Sequence, residues 1–365
     1  MQGLTSVRDA DVHGKRVLVR VDFNVPLDMA GQKQTVVDDG RIKAVIPTLT
    51  YLHEKGAAKI ILLTHVGRPE GKEIETLRVA PIVAALQSLV SYPEVELREN
   101  LRFDPREEAN DEAFAKELAT LGDIYVNEAF PVSHRTDASI VGIPKLLPSY
   151  MGLRFEEEVT HISAALTPPQ PALAIIGGAK FETKQPLLEK LLSQYSEILL
   201  GGALANDMLK ARGLPVGVSL VSSGVVPAAL AQNTNLGTPT DVVVEVDSAA
   251  RMTNTGDVRQ EERIVDIGQK TTDAWSKKIA NASFVLWNGP TGIYEKGFVQ
   301  GTNALAEALT HSSCKALIGG GDTDAALSKF SFDPSRVFIS TGGGAMLQLL
   351  ADGTLPGIEA LKQKT

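Results

Sequence analysis

Between Arg16 and Pro26 the chain reads RVLVRVDFNVP, and apolar and polar positions alternate. Val19, Val21, Phe23 and Val25 fall on one face of an extended strand, while Arg20, Asp22 and Asn24 fall on the other. The plain reading is an edge strand with a wet face. An arginine, an acid and an amide where Ser or Thr would solvate as well leave a functional reading open. Short β-branched runs alternate with longer helical patterns along the whole chain, which predicts parallel α/β architecture. The strand candidates of the first part are RVLVRVDF, KIILLTH, a weaker VELREN and DIYVNEA. Those of the second part are ALAIIGG, EILLGG, DVVVEV, FVLWNG, ALIGGG and RVFIST. No repeat of short fixed period interrupts the pattern.

A length of 365 residues predicts two domains. The stretch FEEEVTHISAALTPPQP, Phe155 to Pro171, opens with three acids that suit a helix N-terminus and stops at Pro168, Pro169 and Pro171. It reads as a helix and linker leading from a first domain over residues 1–154 into a second that begins at 172. A surface helix within one large domain is the alternative.

Composition narrows the class. Hydrophobic residues make up 43% and charged residues 22%, as in an ordinary soluble globular protein. No apolar run is long enough to span a membrane, and the polar N-terminus lacks a signal-peptide core. The only cysteine, Cys314, permits no internal disulfide, so a cytoplasmic location is expected. The formal net charge is −8 and neither half is basic, which argues against a nucleic-acid surface. Any anion site must be a local cluster.

Ligands of open parallel sheets bind beyond the carboxyl ends of the strands. In the first part, positive side chains recur there: Arg41 after VVDDG, His65 and Arg68 after KIILLT, Arg102 after REN, and His134 with Arg135 after DIYVNEAF. Guanidinium forks converging on one cup suit a phosphate and a carboxylate on one small molecule. In the second part glycines recur instead, in IIGGAK, LLGGA, WNGPTG, IGGGDT and STGGGA. Glycine lets backbone N–H groups approach an anion, and a following helix N-terminus adds its dipole. GRPEGKE is no P-loop: it is one residue short between its glycines and ends in Glu73. One domain thus suits a small anion and the other a nucleoside phosphate, and phosphoryl transfer joins such ligands. Lys180 and Lys184 stand four apart in GGAKFETK, and Asp322 in GGGDT is a candidate Mg²⁺ carboxylate.

These residues and motifs resemble the phosphoglycerate kinase family along nearly the whole chain. RVDFNVPL, DDGRIKAVIPT, LLTHVGRPEG, ENLRF, GGAK, WNGPTGIYE, GGGDT, STGGGA and LPGIEAL follow its pattern in its order. The resemblance implies two Rossmann-like parallel-sheet domains joined by a hinge helix. It gives a 3-phosphoglycerate domain over 1–154, a nucleotide domain over 172–346, and a tail over 347–365 that packs back on the first domain. It further implies a monomer that uses Mg-ATP or Mg-ADP. Asp22, Asn24, Arg41, His65, Arg68, Arg102 and Arg135 would hold the acid substrate, with Arg20 supporting them. Gly178, Gly201, Gly202, Asn288 and Glu295 would line the nucleotide site, and Lys184 would contact nucleotide phosphates. Asp322 and Thr323 would serve metal and phosphates. Lys180 and Arg41 would stabilise the moving phosphoryl group, assisted by the turns holding Gly320, Gly321 and Gly343.

The chain also departs from the family pattern. Thr183 replaces the usual aspartate before the second lysine, and Asp137 stands where a histidine is common. Pro131 and Val132 replace a common Gly-Thr, and the stretch from Ala211 to Ile264 is shortened. A kinase for a related acid and a non-catalytic binding protein of the same fold are the rival expectations. A NAD dehydrogenase is weaker, since its glycine fingerprint is missing.

Overall fold

The computed structural model describes residues 3–30 and 33–362. The chain forms two compact units, Met1–Thr160 with Asp352–Thr365, and His161–Ala351.

Unit 1 contains β1 (Arg16–Val21), β2 (Leu27–Ala30), β3 (Lys33–Val36), β4 (Lys59–Leu63), β5 (Val95–Leu97), β6 (Ile124–Glu128) and β7 (Ser149–Met151). Five of these make a parallel sheet in the order β5-β4-β1-β6-β7, while β2 and β3 pair as a separate hairpin. The RVDFN stretch therefore differs from the edge-strand expectation: β1 is the central strand and stops at Val21. Val17 to Val21 are all buried, and Arg20 is 0% exposed. A central parallel strand is covered on both faces, so alternation along it does not mark a wet side. The helix Gly40–Glu54 buries Ile42, Val45, Leu49 and Leu52 in the same core as Val17, Val19 and Val21.

Unit 2 contains β8 (Ala172–Ile176), β9 (Glu197–Leu200), β10 (Leu236–Gly237), β11 (Asp241–Val246), β12 (Ala249–Asn254), β13 (Arg263–Ile267), β14 (Phe284–Asn288), β15 (Lys315–Gly319) and β16 (Val337–Ser340). Its main sheet is parallel, in the order β10-β9-β8-β14-β15-β16. Strand order reverses between β8 and β14, which makes their carboxyl ends a switch point where such sheets hold ligands. DVVVEV, read from sequence among the parallel strands, forms β11 of a separate antiparallel sheet, β12-β11-β13.

The helix expected from Phe155 runs from Leu153 to Ala164, and the division between the units falls inside it. It starts early because the Glu128 carboxylate accepts hydrogen bonds from the N–H groups of Arg154 (3.0 Å) and Phe155 (2.9 Å). That is a helix cap supplied from the end of β6. The helix Gly343–Asp352 carries unit 2 to Ala351, past the sequence boundary at 346. The helix Pro356–Leu361 then belongs to unit 1, where Gly357 donates to the Ser133 carbonyl at 2.8 Å and Ile358 is fully buried.

Candidate active site

At the carboxyl edge of the unit 1 sheet, polar side chains leave β1, β4 and β6 and the turn Leu101–Phe103. Asp22 follows β1 and pairs with Arg41 from the helix Gly40–Glu54. His65 follows β4, and its Nδ1 stands 3.4 Å from Arg20 Nη2 and 3.9 Å from Asp22 Oδ1. Arg20 is anchored through Nε to Ser139 Oγ at 2.7 Å. Arg102 is 3% exposed and donates one Nη1 bond to the Gly67 carbonyl at 2.9 Å, but its Nε and Nη2 have no hydrogen-bond partner. Arg135 and Arg102 share the Glu108 carboxylate at 3.7 and 3.3 Å.

This is a desolvated positive cup. Burial pushes the His65 imidazole well below its ordinary range, and Arg20, Arg102, Arg135 and Arg41 push it further, so His65 is neutral. Burial and the neighbouring Arg135 also lower Arg102. Buried guanidinium groups with unused donors call for an anion. Of the residues expected here, the structure brings Asp22, Arg41, His65, Arg102 and Arg135 together. Asn24 and Arg68 are exposed, and Asn24 Oδ1 accepts from the Gly67 N–H at 2.9 Å, beside Arg68. Sequence reasoning missed Glu107, Glu108 and Ser139. Glu107 accepts from the Ser139 N–H at 3.0 Å, a pairing 32 residues apart that no local pattern announces.

In unit 2 the glycine turns interlock at the switch point. Gly202 has φ +58°, and a Cβ there would stand 2.9 Å from the Gly178 nitrogen. A Cβ on Gly343 would stand 2.4 Å from Gly320 Cα, and Gly320 itself has φ +114°. The turns thus meet backbone against backbone. Asn288, at the end of β14, donates to the Gly319 carbonyl at 2.6 Å, and Thr323 Oγ1 accepts from the Gly289 N–H at 2.7 Å. Lys184 Nζ donates to the Gly177 carbonyl (2.6 Å) and to Asn288 Oδ1 (3.1 Å). Burial brings its ammonium down to about 8, against the opposing charge of Asp322. Lys180 is exposed and holds a left-handed φ of +66° just before the helix Phe181–Leu192. A non-glycine residue there stores strain, which functional turns often do.

A cavity of about 240 Å³ opens beside these turns, lined among others by Gly178, Gly202, Leu209, Val242, Glu295 and Asp322. Gly201, Asn288, Gly320, Gly321 and Thr323 do not line it; they build the turns alongside. Tyr294, Pro239 and Asp266 also line it and were missed from the sequence; Pro239 lies in the shortened stretch from Ala211 to Ile264. Asp266 is held up to about 6 by burial, although Thr291 Oγ1 (3.0 Å) and the Gly301 N–H (2.9 Å) donate to it. Burial, the Asp322 charge and a hydrogen bond to Asp322 raise the Tyr294 phenol.

Among the described residues no cluster of three or more His, Cys, Asp or Glu side chains stands ready for a metal. Asp322 offers one carboxylate in the first turn of the helix Gly321–Leu327. One carboxylate completed by phosphate oxygens and water is a donor set that fits Mg²⁺. No helix among the described residues is long and apolar enough to cross a membrane.

Comparison with known proteins agrees with this fold. A family model described as phosphoglycerate kinase matches residues 7–353. The chain is 42% identical to the phosphoglycerate kinase of Herpetosiphon aurantiacus, covering 98% of this chain and 99% of that protein. It is also 42% identical to that of a Roseiflexus species, covering 98% of each. The solved structure of phosphoglycerate kinase from Coxiella burnetii superposes with a TM-score of 0.87 at 36% identity, covering 98% of both chains. That from Pyrococcus horikoshii gives 0.83 at 27% identity, again covering 98% of both.

Proposed function

The chain belongs to the phosphoglycerate kinase family, and from that premise we propose that its two units divide one phosphoryl transfer between them. The reaction is the glycolytic one, reversible transfer between ATP and the carboxylate of 3-phosphoglycerate to give ADP and 1,3-bisphosphoglycerate. Unit 1 takes the acid. Arg102 and Arg135, with Arg68 and Asn24 at the rim, receive its phosphate, while Asp22, Arg41 and neutral His65 orient the reacting end. Unit 2 takes the nucleotide, its base in the cavity with Glu295 at the ribose, its phosphates on the turns of Gly178, Gly201, Gly202, Gly320, Gly321 and Thr323.

The acceptor carboxylate is already ionised at neutral pH, so no general base is needed. The work is positioning and charge. Lys180 and Arg41 stabilise the moving phosphoryl group, and Lys184 holds nucleotide phosphates from its seat on Gly177 and Asn288. The N–H groups of the Gly320 and Gly343 turns assist. Asp322 would hold Mg²⁺, which when bound neutralises and orients phosphate oxygens. The two ligands must meet for transfer, and we place the hinge in the helix Leu153–Ala164. The lone buried Cys314 suits a reducing cytoplasm, and one chain carries both sites, so a monomer suffices.

The observation that carries this reading is the pairing, in one chain, of a desolvated arginine cup with glycine turns at a sheet switch point. A coupled assay with Mg-ATP and 3-phosphoglycerate tests it. ADP release is expected only when both substrates are present. Folded protein that binds ADP but gives no acid-dependent release would overturn it.

A further inference from the structure

The unit 1 cup holds a carboxyl group that the reaction does not use. Asp137 is 4% exposed, and its Oδ2 accepts no hydrogen bond. That oxygen lies 3.9 Å from Arg102 Nη2, a buried donor that is also unused. Two opposite charges stop just short of bonding, and neither atom is satisfied elsewhere. Arg20, Arg102 and Arg135 favour the Asp137 anion and Glu108 opposes it, while burial outweighs each of them and holds the carboxyl above the ordinary aspartate range. Glu107 and His134 also feel the Asp137 charge. Of the cations that act on Asp137, Arg102 and Arg135 belong to the cluster that would receive a ligand anion, and Arg20 stands behind them on Ser139.

Resting on the reading that this cup receives the acid substrate, we propose that Asp137 is a positioning residue and internal counter-ion: its carboxylate draws on Arg102 and Arg135 in the empty cup and opposes an incoming phosphate. It thereby sets the affinity for the acid without taking part in transfer. An arriving phosphate adds negative charge beside Asp137, and a like charge favours the protonated carboxyl. Binding therefore takes up a proton, and affinity falls as pH rises and Asp137 ionises. The opposition acts on bound acid before and during transfer alike, so it moves KM and leaves kcat in place.

Asp137→Asn keeps the shape and removes the charge. We expect KM for 3-phosphoglycerate to fall by roughly tenfold, the equivalent of one pKa unit, with kcat nearly unchanged and the pH dependence of KM flattened. An unchanged or higher KM with the pH dependence intact overturns the proposal. Arg135→Ala separates this from failure of the underlying reading: if it leaves KM for the acid unchanged, the cup does not hold the acid at all. Should Asp137→Asn not fold, calorimetry of 3-phosphoglycerate binding to the unaltered protein decides. A dependence of the heat on buffer ionisation enthalpy with the sign of proton uptake supports the proposal, and equal heats or the sign of proton release overturn it.

Discussion

Both units hold an anion site at the carboxyl edge of a parallel sheet, and they build it by opposite means. Unit 1 gathers side chains that carry full charges. Their mutual repulsion and desolvation show in His65 and Arg102, both lowered by burial and by neighbouring cations. Asp22, Glu108 and Asp137 stand among the arginines and offset that repulsion. Unit 2 uses backbone. Its turns touch at Gly178–Gly202 and Gly320–Gly343, and N–H dipoles carry no net charge to be balanced. The difference teaches where each site is adjustable. A charged cup is retuned by one side chain, as with Asp137, while a backbone cradle has no side chain to exchange and is altered only by forcing its turns apart.

The largest expected effect falls where unit 2 departs from its own rule. Lys180 is an exposed cation among backbone donors, held in a left-handed conformation. Lys180→Ala should lower kcat by about 10³-fold, the scale for losing a cation on a transferring phosphoryl group. ADP affinity by calorimetry should be largely kept; undiminished turnover would remove Lys180 from the chemistry. Next comes Gly343→Ala. The new Cβ meets Gly320 Cα at 2.4 Å, and a backbone atom has no rotamer to yield. Strain of roughly 2 kcal/mol should weaken ADP binding by about 30-fold and leave 3-phosphoglycerate binding unchanged. Equal weakening of both ligands would show that the two sites are not separately built.

The same contrast decides what the sequence could tell. The glycine turns were legible because close backbone approach needs glycine at that place, whatever its neighbours are. The arginines after successive strands were legible for a similar reason, since strand ends gather in space. The counter-charges were not. Glu107 reaches Ser139 across 32 residues, and Asp137, marked in the sequence only as standing where a histidine is common, shows its burial and its approach to Arg102 in the structure alone. All ten strand runs form strands, but DVVVEV pairs antiparallel, and periodicity does not distinguish the two pairings. The plain reading of RVDFN as a wet edge strand failed for a related reason: alternation does not report what covers a strand, and β1 lies at the centre of its sheet. The helix start at Leu153 was missed because its cap, Glu128, lies 26 residues before Arg154.

The smallest expected effect tests the half-buried Lys184 of unit 2 against the charged cup of unit 1. Lys184 is brought from 10.5 to about 8 in the folded protein. Its charge is therefore present at neutral pH and lost as pH rises through about 8, so ADP affinity should decline there by several-fold. Folding stability should move the other way. The unfolded chain keeps this proton up to the ordinary lysine value of 10.5, so between about 8 and 10.5 it binds more protons than the folded chain. Stability of the ligand-free protein therefore gains with pH across that window. Lys184→Met removes both trends, and the difference between the two proteins is the measurement, taken as ADP affinity by calorimetry and as thermal midpoint without ligand. Opposite slopes that vanish together in Lys184→Met would establish that one ammonium is held at a folding cost for the sake of the nucleotide. Slopes shared by both proteins would place the titration elsewhere and take Lys184 out of the nucleotide's charge balance.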